Sequence, residues 1–184
     1  ETGLVVGAVT GMAGILAGQE RDRTKVADAY KWDTTALYAD DAAWRVRKEA
    51  LAGEVASIRA FQGRLGTSGA VLADALELMS RLDKELSRLY VYASMRSDED
   101  TRVSATQGMD QEMQQLYATF GAQASFIEPE ILHVGSERVE QFIASEPRLA
   151  AYAFFLRDVT RRAPHTLTDA EEKLLADMGP VSYT

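Results

Sequence analysis

The chain has 184 residues, of which 46% are hydrophobic and 26% are charged, and its formal net charge is −8 at pH 7. A chain of this length and composition can bury one sizeable hydrophobic core. The acidic balance argues against a nucleic-acid partner, because phosphate binding needs clustered Lys and Arg. The absence of cysteine excludes disulfides, thiolate metal sites and cysteine nucleophiles.

The first segment, residues 4–18 (LVVGAVTGMAGILAG), carries no charge and is followed at once by Glu20 and Arg21. Its length suits the apolar part of a signal peptide better than a spanning helix, which needs about 20 apolar residues. We expect residues 1–18 to be a signal-like or anchor segment, so that the protein is exported, periplasmic or membrane-anchored, with a cytoplasmic location as the alternative. Membrane contact is expected only through residues 4–18, if they are not cleaved.

Residues 19–39 are predicted to be an extended lead-in, with a weak possibility of a strand at 32–38. Helical spacing of apolar residues begins at Asp40, with Asp41 available as the cap and Gly66 as the stop. The apolar face of this first helix consists of Trp44, Leu51, Val55, Ile58 and Leu65. A second, long helix is predicted to begin near Ser68, and its apolar face consists of Leu72, Leu76, Met79, Leu86, Leu89 and Ala93.

A third helix is predicted to open around 98–101 and to end before Pro129, because the residue preceding a proline disfavours the α conformation. Its predicted core residues are Met109, Met113, Leu116, Phe120 and Ala124. Shorter helices are expected at 137–144 and 147–162, and a last one after the capping box of Thr168 and Glu171. The predicted fold is therefore all-α: an antiparallel bundle of about three long amphipathic helices plus shorter helices, within a helical domain at 40–184.

The residues offer little independent chemistry. His133 and His165 are too far apart in sequence to share a helix face as zinc ligands, and Glu130 with His133 supplies only one of the two carboxylate-histidine pairs of a di-iron bundle. We expect Glu130 in the first turn of a short helix and His133 near its end. No catalytic residue, metal ligand or cofactor is predicted in this chain, which alone should be inactive.

Two features remain open to a binding role. The acidic residues at 98–100 could bind a hard cation, although the favoured interpretation is that Asp98 or Asp100 caps the third helix. The side chains of Tyr90, Tyr92 and Met95 could line a peptide-binding wall, although aromatic and Met residues at these spacings on a long helix are more often buried core.

Four segments form an ordered set of motifs: YKWDTTALYADDAAW at 30–44, LYVYASMRSDEDT at 89–101, SFIEPEIL at 125–132 and RRAPHTLTDAEEKLL at 161–175. As a set, they resemble the N-terminal region of oligoendopeptidase F, a zinc metallopeptidase of the M3 family. The resemblance runs from about residue 27 to 178 and corresponds to roughly the first third of such an enzyme.

The resemblance implies a mostly helical peptidase whose N-terminal domain forms one wall of a deep channel that admits short peptides. Zinc would be held by a His-Glu-x-x-His motif and a later Glu in a C-terminal catalytic domain, so that this chain would be truncated before that domain and would have it and short peptides as partners. The residues of this chain that could line the channel are Tyr90, Tyr92, Arg96, Asp98 and Asp100. The alternative is a free-standing, exported or membrane-tethered helical binding module.

Overall fold

The computed structural model describes residues 25–163, which contain six α-helices and no β-strand. The helices are α1 Asp41–Val55, α2 Gly69–Glu99, α3 Ser104–Ala124, α4 Ile127–Val134, α5 Ser136–Ser145 and α6 Ala153–Arg161. Short 3-10 helices occur at Asp28–Tyr30, Thr34–Ala36, Ala56–Phe61 and Pro147–Tyr152. The all-α prediction is confirmed. The tentative strand at 32–38 is wrong, since this stretch contains a 3-10 turn.

The chain divides between Asp33 and Thr34 into two compact units. The described part of the first unit, residues 25–33, contains one 3-10 turn in which Lys31 Nζ lies 2.8 Å from a carboxylate oxygen of Asp28. The described part of the second unit, residues 34–163, contains all six helices. The predicted apolar segment at 4–18 and the predicted last helix after Thr168 lie outside the described residues.

Helix α1 begins one residue earlier in the acidic pair than predicted, because Asp40 and not Asp41 is its cap. The side chain of Asp40 accepts a hydrogen bond of 2.8 Å from the backbone N–H of Ala43. The helix ends at Val55 and continues as a 3-10 helix to Phe61, so the predicted single helix as far as Gly66 is wrong. The chain turns at Gly63, whose φ of +76° is readily adopted only by glycine.

The predicted core face is correct despite this change of helix type. Its five residues are at most 1% exposed: Trp44, Leu51, Val55, Ile58 and Leu65. The spacing of three residues from Val55 to Ile58 keeps both side chains on one face in a 3-10 helix, which has three residues per turn. The apolar pattern therefore identified the buried side without fixing the backbone geometry.

Helix α2 begins where the sequence predicts and is 31 residues long. The side chain of Ser68 accepts a hydrogen bond of 3.2 Å from the N–H of Val71, which satisfies one of the free donors of the first turn. Five of the six predicted apolar positions are buried, and Met79 is partly buried. At about 1.5 Å per residue the helix is roughly 46 Å long, and it contacts α1, α3, α5 and the 3-10 helices at Thr34–Ala36, Ala56–Phe61 and Pro147–Tyr152.

Helix α3 begins at Ser104, and neither Asp98 nor Asp100 caps it. Helix α2 ends only at Glu99, so Asp98 lies inside it. In this last turn, Glu99 accepts a hydrogen bond from Arg96. The carboxylate of Asp100 is bound by the backbone and guanidinium of Arg102 at 2.6–3.0 Å. The prediction fails for Asp98 because this residue lies within α2, and for Asp100 because Arg102 binds its carboxylate.

A separate helix, α4, accommodates Pro129 in its first turn. Pro129 is its third residue, a position whose missing N–H costs no helical hydrogen bond. The predicted end of α3 before Pro129 is correct, although α3 already ends at Ala124. Glu130 lies in the first turn of α4 and His133 in its last, as predicted.

Hydrogen bonds between helices fix their relative directions. From the N-terminus of α1, Trp44 pairs with Leu89, Arg47 with Glu85, and Glu54 with Arg81, so α1 and α2 are antiparallel. Helices α2 and α3 are joined by a four-residue turn, at 100–103, and make the most extensive helix contact. The predicted antiparallel arrangement of three long helices is confirmed.

The shorter helices α4, α5 and α6 pack against one another, and α5 with the 3-10 helix at Pro147–Tyr152 packs against α2. The single helix predicted at 147–162 is wrong in its first half, which is 3-10. Its apolar stripe is nevertheless buried at Leu149, Leu156 and Val159. Within the described residues, no helix is both long enough and apolar enough to cross a membrane.

Candidate functional site

The C-terminal part of α2 meets the first turn of α1 at a cluster of polar side chains. Tyr92 Oη donates a hydrogen bond of 2.7 Å to Asp41 Oδ1, and Arg96 Nε donates one of 3.1 Å to the same oxygen. Tyr92 and Arg96 are four residues apart, so they share a face of α2. One carboxylate oxygen of α1 is therefore held by two donors from α2.

Arg96 also binds a second carboxylate. Its Nη1 lies 2.6 Å from Glu99 Oε2, and the side chain of Glu99 is only 5% exposed. A carboxylate with so little access to water needs a charged partner, because desolvation of an unpaired charge is costly. The guanidinium thus links the first turn of α1 to the last turn of α2.

These contacts shift the titration of the cluster. Burial would raise the pKa of Asp41, but the hydrogen bonds from Tyr92 and Arg96 outweigh burial and lower it. Burial, followed by the hydrogen bond to the Asp41 carboxylate, raises the pKa of Tyr92 to about 12. At neutral pH, Tyr92 is therefore a neutral donor and Asp41 is an ionised acceptor.

A surface depression of about 410 Å³ opens beside this cluster. It is lined by Thr34, Ala39, Asp40, Asp41, Ala42, Tyr92 and Arg96. The lining offers hydroxyl and carboxylate groups and one guanidinium, which can form hydrogen bonds with a peptide. Its tyrosine is held protonated and its Asp41 is held ionised, so the lining presents both hydrogen-bond donors and acceptors.

Tyr38 extends the cluster on the other side of Tyr92. The two rings meet edge to face with centroids 5.5 Å apart, and the guanidinium of Arg88 lies 5.0 Å from the centre of the Tyr38 ring. Arg88 also donates a hydrogen bond of 2.6 Å to the carbonyl of Leu37. Burial raises the pKa of the Tyr38 hydroxyl, which has no hydrogen-bond partner among the described residues.

The structure brings together only part of the predicted channel-wall set. Tyr92 and Arg96 meet at Asp41, whereas Tyr90 faces α3 and packs edge to face on Tyr117, with centroids 6.0 Å apart. Asp98 is exposed at the end of α2, and Asp100 lies in the following turn. The arginine of the turn, Arg102, lowers the pKa of Asp100 to about 2. The role of the five residues as a channel wall stays a prediction.

Sequence reasoning missed Asp41 and Tyr38 as members of this cluster. The sequence pattern indicates only a helix cap for Asp41, although this residue lies in the same motif, at 30–44, as Tyr38. The partners of Asp41 are 51 and 55 residues away in sequence, so local spacing holds no information on these contacts. The one indication in the sequence was that the motifs at 30–44 and 89–101 both belong to the set that resembles oligoendopeptidase F.

The described residues do not supply a metal site. Within residues 25–163, no three His, Cys, Asp or Glu side chains converge as metal ligands. The carboxylate of Glu130 accepts hydrogen bonds from the backbone N–H groups of Gly63 and Leu65, and His133 Nδ1 lies 2.7 Å from the carbonyl of Pro129. Gly63, Glu130 and His133 are among the residues that line a second surface depression of about 550 Å³. Because the donor set does not fit zinc, no step of zinc chemistry is assigned to these residues.

Comparison with known proteins shows similarity to one class of proteins, the peptidases. Residues 130–184 match the model of a peptidase family described as Oligopeptidase F. The chain is 32% identical over 165 residues to Oligopeptidase PepF of Bacillus subtilis (strain 168), covering 90% of the chain and 25% of that protein. It is 33% identical over 155 residues to Group B oligopeptidase PepB of Streptococcus agalactiae, covering 84% of the chain and 26% of that protein.

Solved structures agree with the sequence matches. A structure titled as a candidate peptidase from Chlamydophila abortus matches with a TM-score of 0.76 and 27% identity over 88% of the chain. Oligoendopeptidase-F from Enterococcus faecium matches with a TM-score of 0.62 and 25% identity over 77% of the chain. The chain covers 27% and 28% of these two structures, respectively.

The resemblance predicted from the four motifs is thereby confirmed. The chain is similar to the N-terminal region of M3-type peptidases and, among these, to that of oligoendopeptidase F. It spans about a quarter of the length of the curated relatives that it matches. The sequence-based expectation of roughly a third was slightly too high.

Proposed function

We propose that the protein containing this chain is a zinc-dependent oligopeptidase that hydrolyses short peptides, and that this helical region forms one wall of its substrate channel. The single observation that supports the proposal is similarity over most of the chain to an oligopeptidase in sequence and to oligoendopeptidase-F in fold. The metal and the catalytic groups would belong to a C-terminal domain, which is the proposed partner of this region.

The role proposed for the described residues is binding and positioning. Asp41 and Arg96 are partly exposed beside the 410 Å³ depression and the buried Tyr92 holds Asp41 in place, so the cluster combines fixed geometry with access from solvent. Hydroxyl, carboxylate and guanidinium groups can pair with the amide groups and the two charged ends of a short peptide. These features support the assignment of the cluster to the channel side of the domain.

Peptide cleavage by the full-length protein tests the proposal. We expect cleavage of a short synthetic peptide, loss of cleavage after treatment with a chelator, and recovery on addition of zinc. The same peptide sequence placed within a folded protein should be cleaved much more slowly, because a channel restricts access. Cleavage that is insensitive to chelation would contradict the proposed zinc-dependent enzyme. Equal cleavage of both substrates would contradict the proposed channel.

The 184-residue chain provides the matching control. It should not cleave the peptide, with or without zinc. Chelator-sensitive turnover that zinc restores in this chain alone would refute the placement of catalysis in the C-terminal domain. A native reading frame that stops after Thr184 would instead favour a free-standing helical binding module.

We also propose export or membrane anchoring through residues 4–18, on the basis of their uncharged composition and length. N-terminal sequencing of the protein after expression in a bacterial host tests this proposal. A new N-terminus near residues 18–19 would support cleavage, and partition of the uncleaved protein into lipid vesicles would support anchoring. An intact N-terminus together with a purely cytoplasmic location would refute both.

A further inference from the structure

The turn between α2 and α3 is exposed, yet it is closed by its own hydrogen bonds. Residues 101–105 are all exposed. The N–H of Val103 donates to the carbonyl of Asp100 at 3.1 Å, and the N–H of Arg102 donates to the Asp100 carboxylate at 3.0 Å. The side chain of Gln107 donates to the carbonyl of Thr101. The turn therefore has a defined local shape, and its orientation depends on how the end of α2 is held.

Arg96 connects the end of α2 to a different helix. Its guanidinium binds Glu99, the last residue of α2, and Asp41, in the first turn of α1. The side chain of Arg96 is 31% exposed and that of Glu99 is 5% exposed, so both ion pairs are partly shielded from water. Movement of the end of α2 relative to α1 would break one of these pairs.

We propose that Arg96 is a positioning residue that fixes the α2–α3 turn for peptide binding. This inference rests on the proposed function, because the turn carries Asp100 and adjoins Asp98, two of the predicted channel-wall residues. Arg96 would position the turn through Asp41 and Glu99, in addition to the peptide contact proposed above for its guanidinium. Its loss would leave the turn closed locally and held by the packing of α2 on α3, but would remove one of its ties to α1.

The geometry calls for arginine at this position. Two carboxylates are bound by different nitrogens of one rigid fork, Nε toward Asp41 and Nη1 toward Glu99. A lysine has one ammonium group on a flexible stem and cannot reproduce the two-sided fork. Arg96→Met should therefore abolish the positioning of the turn by this side chain, and Arg96→Lys should retain only part of it.

Arg148 offers a matched control in the same body of the protein. It also binds several carboxylates, those of Asp74, Glu77 and Glu146, but it lies beside the N-terminal half of α2. Arg148→Met removes the same side-chain charge and the same kind of network without touching the α2–α3 turn. Any effect common to both variants reflects general loss of ion pairs.

Hydrogen exchange in the 184-residue chain tests the positioning itself. Loss of about 1.4 kcal/mol of local stabilisation corresponds to a roughly tenfold fall in protection. We expect Arg96→Met to lower the protection of the last-turn amides of α2 and of the turn about tenfold, Arg96→Lys to lower it less, and Arg148→Met to leave it unchanged. A uniform fall across the core amides of α2, or no difference between Arg96→Met and Arg148→Met, would refute the proposal.

Peptide kinetics of the full-length protein test the consequence for binding. We expect Arg96→Met to raise KM roughly tenfold while kcat stays within about twofold, which is the pattern of lost uniform binding. The KM of Arg96→Lys should lie between those of Arg96→Met and the wild type, and the KM of Arg148→Met should equal that of the wild type. An unchanged KM, or a fall in kcat alone, would refute the link to peptide binding. If the full-length protein cleaves no peptide, the proposed function fails, while hydrogen exchange still decides whether Arg96 positions the turn.

Discussion

Replacement of Trp44 tests the packing between α1 and α2. Trp44 is fully buried, and its Nε1 donates a hydrogen bond of 2.9 Å to the carbonyl of Leu89. Trp44→Phe keeps an aromatic ring but removes the donor and leaves a small void. The lost hydrogen bond costs about 1 kcal/mol and the void roughly 1 kcal/mol more. We therefore expect the free energy of unfolding to fall by about 2 kcal/mol for Trp44→Phe and by about 3–5 kcal/mol for Trp44→Ala.

Urea unfolding of the 184-residue chain, followed by far-ultraviolet circular dichroism, measures these changes. Trp32→Phe is the control, since the side chain of Trp32 is 51% exposed and the same chemical change there should cost less than about 0.5 kcal/mol. The dependence of the free energy on urea concentration should be unchanged in all variants, so that a shifted midpoint reports stability. Equal midpoints for Trp44→Phe and Trp32→Phe would refute the assignment of Trp44 to the α1–α2 core.

Three further predictions concern carboxylates and a phenol. Glu130→Gln should destabilise the chain by about 1–2 kcal/mol in urea unfolding, because the Glu130 carboxylate accepts hydrogen bonds from two backbone N–H groups. The control is Glu128→Gln, which removes a half-exposed ion pair and should cost less than about 1 kcal/mol. The lowered pKa of Asp41 means that its contribution is present above the unfolded value of 3.8 and is lost as the pH falls through the folded pKa. Asp41→Asn should therefore be less stable than the wild type at pH 7, and the two urea midpoints should converge in acid; a constant difference would contradict this. The raised pKa of Tyr92 predicts a loss of wild-type stability as the pH rises from 10.0 toward about 12, and a smaller loss in Tyr92→Phe; identical alkaline profiles would exclude this role.

The parts of the fold that the sequence predicted are those determined by local pattern. Ser68 caps α2 because a serine hydroxyl can reach an N–H three residues ahead, and this requires no other part of the chain. The buried faces of α1 and α2 follow from the spacing of apolar residues, since a helix can bury only one side against a neighbour. Both predictions are correct to within a residue or two.

The predictions failed where two local interactions compete. Asp98 and Asp100 are good cap residues by type, but α2 has an arginine within reach of Glu99, and the turn has Arg102 within reach of Asp100. An ionised Asp at a helix cap also accepts charge-assisted hydrogen bonds, so the number of nearby donors matters: the Asp100 carboxylate accepts from both the backbone and the guanidinium of Arg102 and is held within the turn. The helix boundary therefore moved to Ser104, and spacing rules alone could not reveal it.

The candidate site was only partly predictable, because its central acid comes from another helix. Tyr92 and Arg96 were predicted from the motif at 89–101, while their shared acceptor, Asp41, is in the motif at 30–44. Nothing in the period of either helix indicates that these two motifs meet. Such long-range pairing is set by how α1 packs against α2, which depends on the whole core.

The meeting of these two motifs also explains the unusual composition of residues 89–101. Within one helix, this segment changes from core to surface: Leu89 and Tyr92 are buried, Arg96 is partly exposed, and Asp98 is exposed. At Tyr92 the core residue already carries a polar group, which requires an acceptor when buried. Asp41 supplies that acceptor, and its negative charge in turn requires the cation of Arg96 one helical turn later. Tyr92 and Arg96 thus share Asp41 as their acceptor, Arg96 also binds Glu99, and the exposed Asp98 lies next to this cluster at the end of α2, where a ligand can reach it.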